Sequence, residues 1–154
     1  MIHEKLQFLT TTRVITENNI NSLTERFFPS LFQKNIEKKY EIRTFILGEE
    51  SFSMAIFSQL DIQTQEDFRN YNNNRPNRNV PYTLPEELEK SIFRLMRKLG
   101  LQSGSIDLIK SSMDNQYYFL EVNPVGQFGM VSKPCNYFLE KKVAEYLIKL
   151  QTNK

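Results

Sequence analysis

Gly104-Ser105-Ile106-Asp107-Leu108-Ile109-Lys110 and Tyr117-Tyr118-Phe119-Leu120-Glu121-Val122 flank the polar run Met113-Asp114-Asn115-Gln116. Both flanks are rich in β-branched and aromatic residues, and the run between them is turn chemistry. The stretch therefore predicts an antiparallel hairpin with strands over 103–110 and 117–122. Residues two apart on a strand share a face, so Glu121 and Asn123 point together. Pairing across the hairpin can bring Asp107 to the same side. Two carboxylates and an amide oxygen make a hard-oxygen set suited to Mg2+, a cation that also keeps waters and phosphate oxygens. Spacing alone leaves a second reading open, in which these acids are partly exposed strand ends in salt bridges.

Upstream, Glu41-Ile42-Arg43-Thr44-Phe45-Ile46-Leu47 and Ser51-Phe52-Ser53-Met54-Ala55-Ile56-Phe57 alternate on either side of Gly48-Glu49-Glu50, which predicts a second hairpin. Arg43 on such a strand can pair with neighbouring acids or touch a ligand. Residues 31–36 read as a further strand interrupted by Gln33-Lys34-Asn35, and 6–15 as another. Thr16 with Asn19 opens a short helix to about Leu23. A clear helix starts at Leu84-Pro85-Glu86-Glu87, with Thr83 and Glu86 fitting a capping box. Its apolar stripe is Leu88, Ile92, Leu95, Met96 and Leu99, and Gly100 is its stop. Residues 69–80 hold six Asn and three Arg and no acid, and so predict a loop. That loop is most simply solvated; Arg75 and Arg78 would also make a cationic lip for an acidic peptide. Residues 124–134 read as a loop with Gly126 and Gly129. A last helix over 136–150 would turn Phe138, Val143, Ala144, Leu147, Ile148 and Leu150 to the core. The fold class is α+β, an antiparallel sheet with packed helices.

Composition narrows the chemistry. In 154 residues, 40% are apolar and 25% charged, an ordinary globular balance. Only 5 are glycine, which argues against a long glycine-rich phosphate loop and against flexible linkers. A net charge of +2 is too mild to argue for nucleic acid. One cysteine and one histidine, Cys135 and His3, make neither an internal disulfide nor a zinc site. No apolar run is long enough to span a membrane. Catalysis through a histidine-activated nucleophile is excluded in practice, and the chemistry rests on carboxylates, amides and arginines. A reducing cytoplasm is the default setting.

Asp107-x(13)-Glu121-Val122-Asn123-Pro124, preceded by Gly104-Ser105-Ile106, resembles the metal-binding end of ATP-grasp carboxylate–amine ligases. Phe28-Pro29-Ser30-Leu31-Phe32-Gln33-Lys34-Asn35-Ile36, followed by Tyr40-Glu41-Ile42-Arg43, resembles that family's adenine-binding linker and next strand. Asp67-Phe68-Arg69 resembles the phosphate-facing motif of its peptide-modifying branch. Asn123-Pro124-Val125-Gly126-Gln127-Phe128-Gly129 and Pro134-Cys135-Asn136-Tyr137 look most like the grasp-with-spasm maturases, relatives of the microviridin-type (graspetide) cyclases.

The resemblance implies an ATP-grasp C-terminal subdomain. Asp107, Glu121 and Asn123 would hold Mg2+ bridging the phosphates of ATP. Arg69, with Asn70 beside it, would face phosphate or acyl-phosphate. Gln33, Lys34, Asn35 and Ile36 would line the adenine edge, and Glu41 would accept from the ribose hydroxyls. Family members often have an acid where this chain has Lys34; a role through the backbone tolerates that change, and a role through the side chain does not.

The implied activity is ligation. A peptide Asp or Glu is activated as an acyl-phosphate and captured by a hydroxyl or amine, giving an ester or amide macrocycle. The implied partner is a ribosomally made precursor peptide rich in Thr, Lys, Asp and Glu, with no nucleic acid and no membrane, and with a homodimer left open. Residues 27–154 would be the nucleotide- and metal-binding half, residues 1–26 a remnant of the lid and central subdomain, and the family's N-terminal domain is expected to be absent. Two other readings share these residues: a non-catalytic module that binds a precursor peptide or partner subunit, and a peptide-tailing amino-acid ligase.

Overall fold

The computed structural model describes residues 14–22, 24–26, 29–64 and 72–152. The element order is α1 (Glu17–Asn21), β1 (Lys38–Leu47), β2 (Glu50–Phe57), β3 (Arg78–Tyr82), α2 (Glu86–Lys98), β4 (Ser103–Ser111), β5 (Tyr117–Asn123), α3 (Gly129–Cys135) and α4 (Leu139–Thr152). The strands form one sheet in the order β3-β2-β1-β4-β5, with every neighbouring pair antiparallel. Both expected hairpins are present, and they are joined edge to edge because β1 pairs with β4.

Central position explains the composition of β1. From Glu41 to Leu47 every residue is buried, so both faces need cover. On one face Ile42 and Ile46, with Ile106 and Leu108 of β4, pack against Leu84 and against Ile92 and Met96 of α2. On the other face Phe45, Leu47, Phe52, Met54 and Ile56 pack against Val131 and Cys135 of α3 and Leu139 of α4. Each fully buried apolar side chain of this kind contributes roughly 1.5–3 kcal/mol. At the β1–β2 turn Gly48 takes φ +60°, and a Cβ there would sit 2.8 Å from the Tyr146 ring. Turn geometry and close packing both demand glycine at that place.

Several expectations are corrected. Residues 31–36 are irregular, not a strand. β1 already has β2 and β4 on its two sides, so no ladder position beside it is open to them. Part of the Asn- and Arg-rich segment is strand: β3 pairs with β2 from Ser53↔Tyr82 to Phe57↔Arg78. Its Pro81 is tolerated because β3 is an edge. Arg78 lies over the Phe57 ring at 5.5 Å, which is a packing role as well as a surface one. Helix α2 is capped by Pro85 with no side-chain hydrogen bond, so the Thr83–Glu86 capping box is absent. The first-turn acids Glu86, Glu87 and Glu89 complement the helix dipole instead.

A short helix, α3, occupies part of the expected 124–134 loop. Asn136 and Phe138 both take φ +53°, so the last helix cannot begin at 136 and starts at Leu139. There the Ser132 hydroxyl accepts from the Leu139 amide at 3.0 Å and donates to Glu140 at 2.5 Å. That bond holds the Glu140 carboxyl below its ordinary range. Only the start of α4 and one stripe of it, Leu139 with Val143 and Tyr146, packs on the sheet. Phe138, Ala144, Leu147, Ile148 and Leu150 are exposed, contrary to the periodic reading. The capping box of α1 is present as expected, with Thr16 and Asn19 exchanging bonds. The expected strand over 6–15 lies outside the described residues except at Val14 and Ile15, which are irregular.

Candidate active site

Strand register gathers the charged residues. Arg43 of β1 pairs with Asp107 of β4, and Asp107 pairs with Glu121 of β5. One row therefore runs across three strands on the face that also carries Phe45. Ser105 pairs with Asn123 in the next row, so the amide lies beside the acids as the hairpin reading expected. A bulge completes the arrangement. Leu108 pairs with Phe119, leaving one residue extra between Phe119 and Glu121. Strict alternation would put those two side chains on one face. The bulge lets Glu121 pair in the Asp107 row while Phe119 pairs with Leu108 on the opposite face.

The row is unusual in burial. Arg43 is 4% exposed and Asp107 8%. Arg43 Nη1 donates to Asp107 Oδ2 at 3.3 Å. Arg43 Nε and Nη2 are buried and have no partner among the described residues. A buried guanidinium with unspent donors is costly, and an oxyanion relieves that cost in a geometry its planar fork suits. Glu121 is exposed and Asn123 half-buried. Asn123 Oδ1 accepts from the Val125 amide at 3.1 Å, which leaves a second lone pair free. The Ser105 hydroxyl donates to the Gly126 carbonyl and fastens the loop after Asn123 to β4.

These groups fit a small divalent cation by their donor chemistry: two carboxylates from paired positions and one amide oxygen. Among the described residues there is no cluster of three or more His, Cys, Asp or Glu that could hold a metal alone. Phosphate and water would have to complete the shell, as Mg2+ prefers.

The other expected site residues divide. Glu41 lies one alternate position from Arg43 on the same face and is buried, but it pairs with Lys38, an interaction sequence reading missed. Gln33, Lys34 and Asn35 are exposed and Ile36 half-buried, in the irregular segment leading into β1. Arg69 and Asn70, together with Asp67 and Phe68, lie outside the described residues. Arg43 was readable only as an ambiguous strand arginine. Its spacing of two from Glu41 placed it on the right face, but its burial against Asp107 needed the β1–β4 pairing, which joins segments 64 residues apart.

The sheet, with its helices and its row of acids, is that of an ATP-grasp protein. Residues 6–147 match the model of the RimK-like ATP-grasp domain, and the chain belongs to that family. Among solved structures, a RiPP-associated ATP-grasp ligase of Chryseobacterium gregarium, in complex with ADP and a leader and core peptide, superposes with a TM-score of 0.70. It is 30% identical, over 76% of this chain and 35% of that one. The macrocyclase MdnC of Microcystis aeruginosa MRC, bound with the precursor peptide MdnA, is 38% identical with a TM-score of 0.60, over 75% of this chain and 34% of that one. The macrocyclase MdnB of the same organism is 27% identical with a TM-score of 0.59, over 76% and 40%. This chain thus spans between a third and two fifths of the length of these relatives. No curated protein matches it.

Proposed function

We propose that this chain supplies the nucleotide- and metal-binding half of an ATP-dependent ligase acting on a ribosomally made precursor peptide. The observation that carries the reading is the row Arg43, Asp107, Glu121, a buried guanidinium with spare donors beside two paired carboxylates. In it, Asp107, Glu121 and Asn123 hold Mg2+. Gln33, Lys34, Asn35 and Ile36 line the adenine, with Lys34 acting through its backbone, and Glu41 accepts from the ribose. Arg69 and Asn70 face the transferring phosphate. Residues 27–154 form the working half, residues 1–26 belong to the lid and central subdomain, and the setting is cytoplasmic. The solved relatives that carry ADP and precursor peptides support the choice of substrates.

Bound Mg-ATP supplies an electrophilic γ-phosphorus with its charge neutralised. A peptide Asp or Glu carboxylate attacks it, the bond to the β-phosphate oxygen breaks, and ADP leaves. A peptide hydroxyl or amine then attacks the acyl carbon and loses its proton. The carbon–oxygen bond to phosphate breaks, leaving an ester or amide. The enzyme contributes no nucleophile; it positions the reactants and stabilises charge.

The test is calorimetry of the full chain with ADP, with and without Mg2+, beside Asp107→Asn and Glu121→Gln. Wild type should bind in a Mg2+-dependent way, and each variant should lose at least about tenfold, or ~1.4 kcal/mol. Mass spectrometry of a precursor peptide after incubation with Mg-ATP should show loss of one water per ring. Binding by wild type that is indifferent to Mg2+ would sink the metal assignment.

A further inference from the structure

Past Asn123 the chain doubles back over the sheet. Phe45, Ser105 and Asn123 share one row across β1, β4 and β5. The turn 123–126 brings Gly126 down onto that row: a Cβ at Gly126 would sit 2.9 Å from the Phe45 ring and 3.7 Å from Gly104 Cα. Ser105 is fully buried, and its hydroxyl donates to the carbonyl of Gly126, a buried residue too. Two further bonds close the turn on Asn123 itself. The Gly126 amide donates to the Asn123 carbonyl and the Val125 amide to Asn123 Oδ1, each at 3.1 Å.

Local preference does not hold such a turn. Gly126 takes φ +84° and Gln127 φ +44°, two successive left-handed residues of which the second carries a side chain. Conformations of that kind persist where surrounding contacts fix them. Strand β4 supplies one here, because Ser105 ties the turn to the buried centre of the sheet.

Orientation of the Asn123 amide matters for the cation this row would take. Mg2+ demands near-octahedral oxygens at short distance, whereas Ca2+ accepts roughly six to eight at longer and less regular distances. An amide oxygen held in one direction favours the stricter ion. The same oxygen on a loose turn serves the tolerant ion as well.

We propose that Ser105 is a positioning residue for the metal: by latching the 123–126 turn through the Gly126 carbonyl, it fixes the Asn123 amide and makes the site select Mg2+ over Ca2+. The proposal rests on the reading of Asp107, Glu121 and Asn123 as the metal's ligands. A neighbour that orients a ligand without binding the ion is a general determinant of metal affinity.

The test compares wild type, Ser105→Ala, Ser105→Cys, Ser105→Thr and Asn123→Ala as full chains. Ser105→Cys fills the same space with a weak donor, and Ser105→Thr keeps the hydroxyl. Calorimetry with ADP is run with Mg2+, with Ca2+ and without a divalent ion. Amide hydrogen exchange over 123–128 reports the latch independently of any ligand, and the thermal midpoint checks folding. Wild type should bind ADP more tightly with Mg2+ than with Ca2+. Ser105→Ala and Ser105→Cys should each lose about tenfold with Mg2+ and stay within about twofold with Ca2+. Exchange over 123–128 should speed up in both while β1 and β4 stay protected, and Ser105→Thr should restore both readouts.

Exchange over 123–128 that neither Ser105→Ala nor Ser105→Cys changes overturns the latch. A ratio of Mg2+ to Ca2+ affinity that stays at the wild-type value in both overturns its role in selection, and so does a wild type without preference for Mg2+. A Ser105→Cys that behaves as wild type beside a defective Ser105→Ala shows that space, not the hydrogen bond, is what counts, and overturns the proposal too. Wild-type binding indifferent to any divalent ion, or an Asn123→Ala that matches wild type with Mg2+, overturns the reading beneath it instead.

Discussion

One face of the sheet is built in two unlike halves. Where β1 carries Phe45 and Leu47, the face is apolar and α3 and α4 close over it. One alternate position along the same strand it carries Arg43 and then Glu41, and the neighbouring strand supplies Asp107. Both halves are buried, yet the first is satisfied by packing alone while the second keeps guanidinium donors without partners among the described residues. Two methylene-rich surfaces gain free energy by meeting. A buried ion pair at 3.3 Å roughly breaks even against its own desolvation. Stability therefore explains the apolar half and does not explain the polar one, and that difference is what directs attention to a ligand.

The largest effect should come from breaking the polar half asymmetrically. Arg43→Met removes the cation beside a buried carboxylate and should cost about 3–5 kcal/mol. Arg43→Met with Asp107→Leu should recover much of that loss, since an apolar pair of similar volume needs no counter-charge. Denaturant midpoints measure both. A double variant less stable than Arg43→Met alone would show that the pair is held for stability and would remove the contrast between the halves.

In the apolar half the sign is plainer. Leu139 is fully buried, and Leu139→Ala should cost about 3 kcal/mol through lost transfer energy and a residual cavity. Per folded molecule, nucleotide affinity should stay within about twofold of wild type, because Leu139 belongs to the apolar core cluster with α3 and the β1–β2 face. A tenfold loss of affinity would mean that the two halves are energetically one.

The same contrast governs how much of the molecule is legible in its sequence. Both hairpins were legible because each is local, one by alternation and the other by composition around a polar turn, but the Asp107–Glu121 pairing also needs the bulge at Leu120, which the hairpin reading did not contain. Residues 31–36 looked like a strand because their composition suits one, but strand formation needs a free neighbour, which composition does not report. β3 was hidden for the converse reason. Arg78, Asn79 and Pro81 are poor strand residues, yet an open edge of β2 and the alternate Val80 and Tyr82 were sufficient. Phe138, Leu147, Ile148 and Leu150 fit a helical stripe, but two left-handed residues, Asn136 and Phe138, set the approach of α4, and only its Leu139 stripe meets the sheet. In the candidate site, Asp107, Glu121 and Asn123 were readable as a motif. The burial of Arg43 was not, since it depends on a pairing between distant segments.

The smallest prediction concerns the turn that keeps the two acids in register. Asp114 Oδ2 accepts from the Tyr118 hydroxyl at 2.6 Å, and Oδ1 from the Gln116 amide at 3.0 Å. These bonds, the tyrosine's first, lower its pKa to about 2, and the same carboxylate pushes the Tyr118 phenol up. An ordinary unfolded aspartate titrates near ~3.9. The native state therefore prefers the charged form, and the stabilisation is fully present above about pH 5. It fades as the pH falls through the unfolded value and is gone near pH 2. The group is exposed, so the effect is modest. Wild type should be more stable than Asp114→Asn by a constant margin from pH 5 to 7, and the margin should close between pH 4 and 2, read from thermal midpoints at each pH. Tyr118→Phe should raise the aspartate's titration midpoint, seen by NMR, without moving the Asp107–Glu121 pairing. If the margin between wild type and Asp114→Asn does not depend on pH, the turn is held by its backbone alone, and the register of the acids owes nothing to this carboxylate.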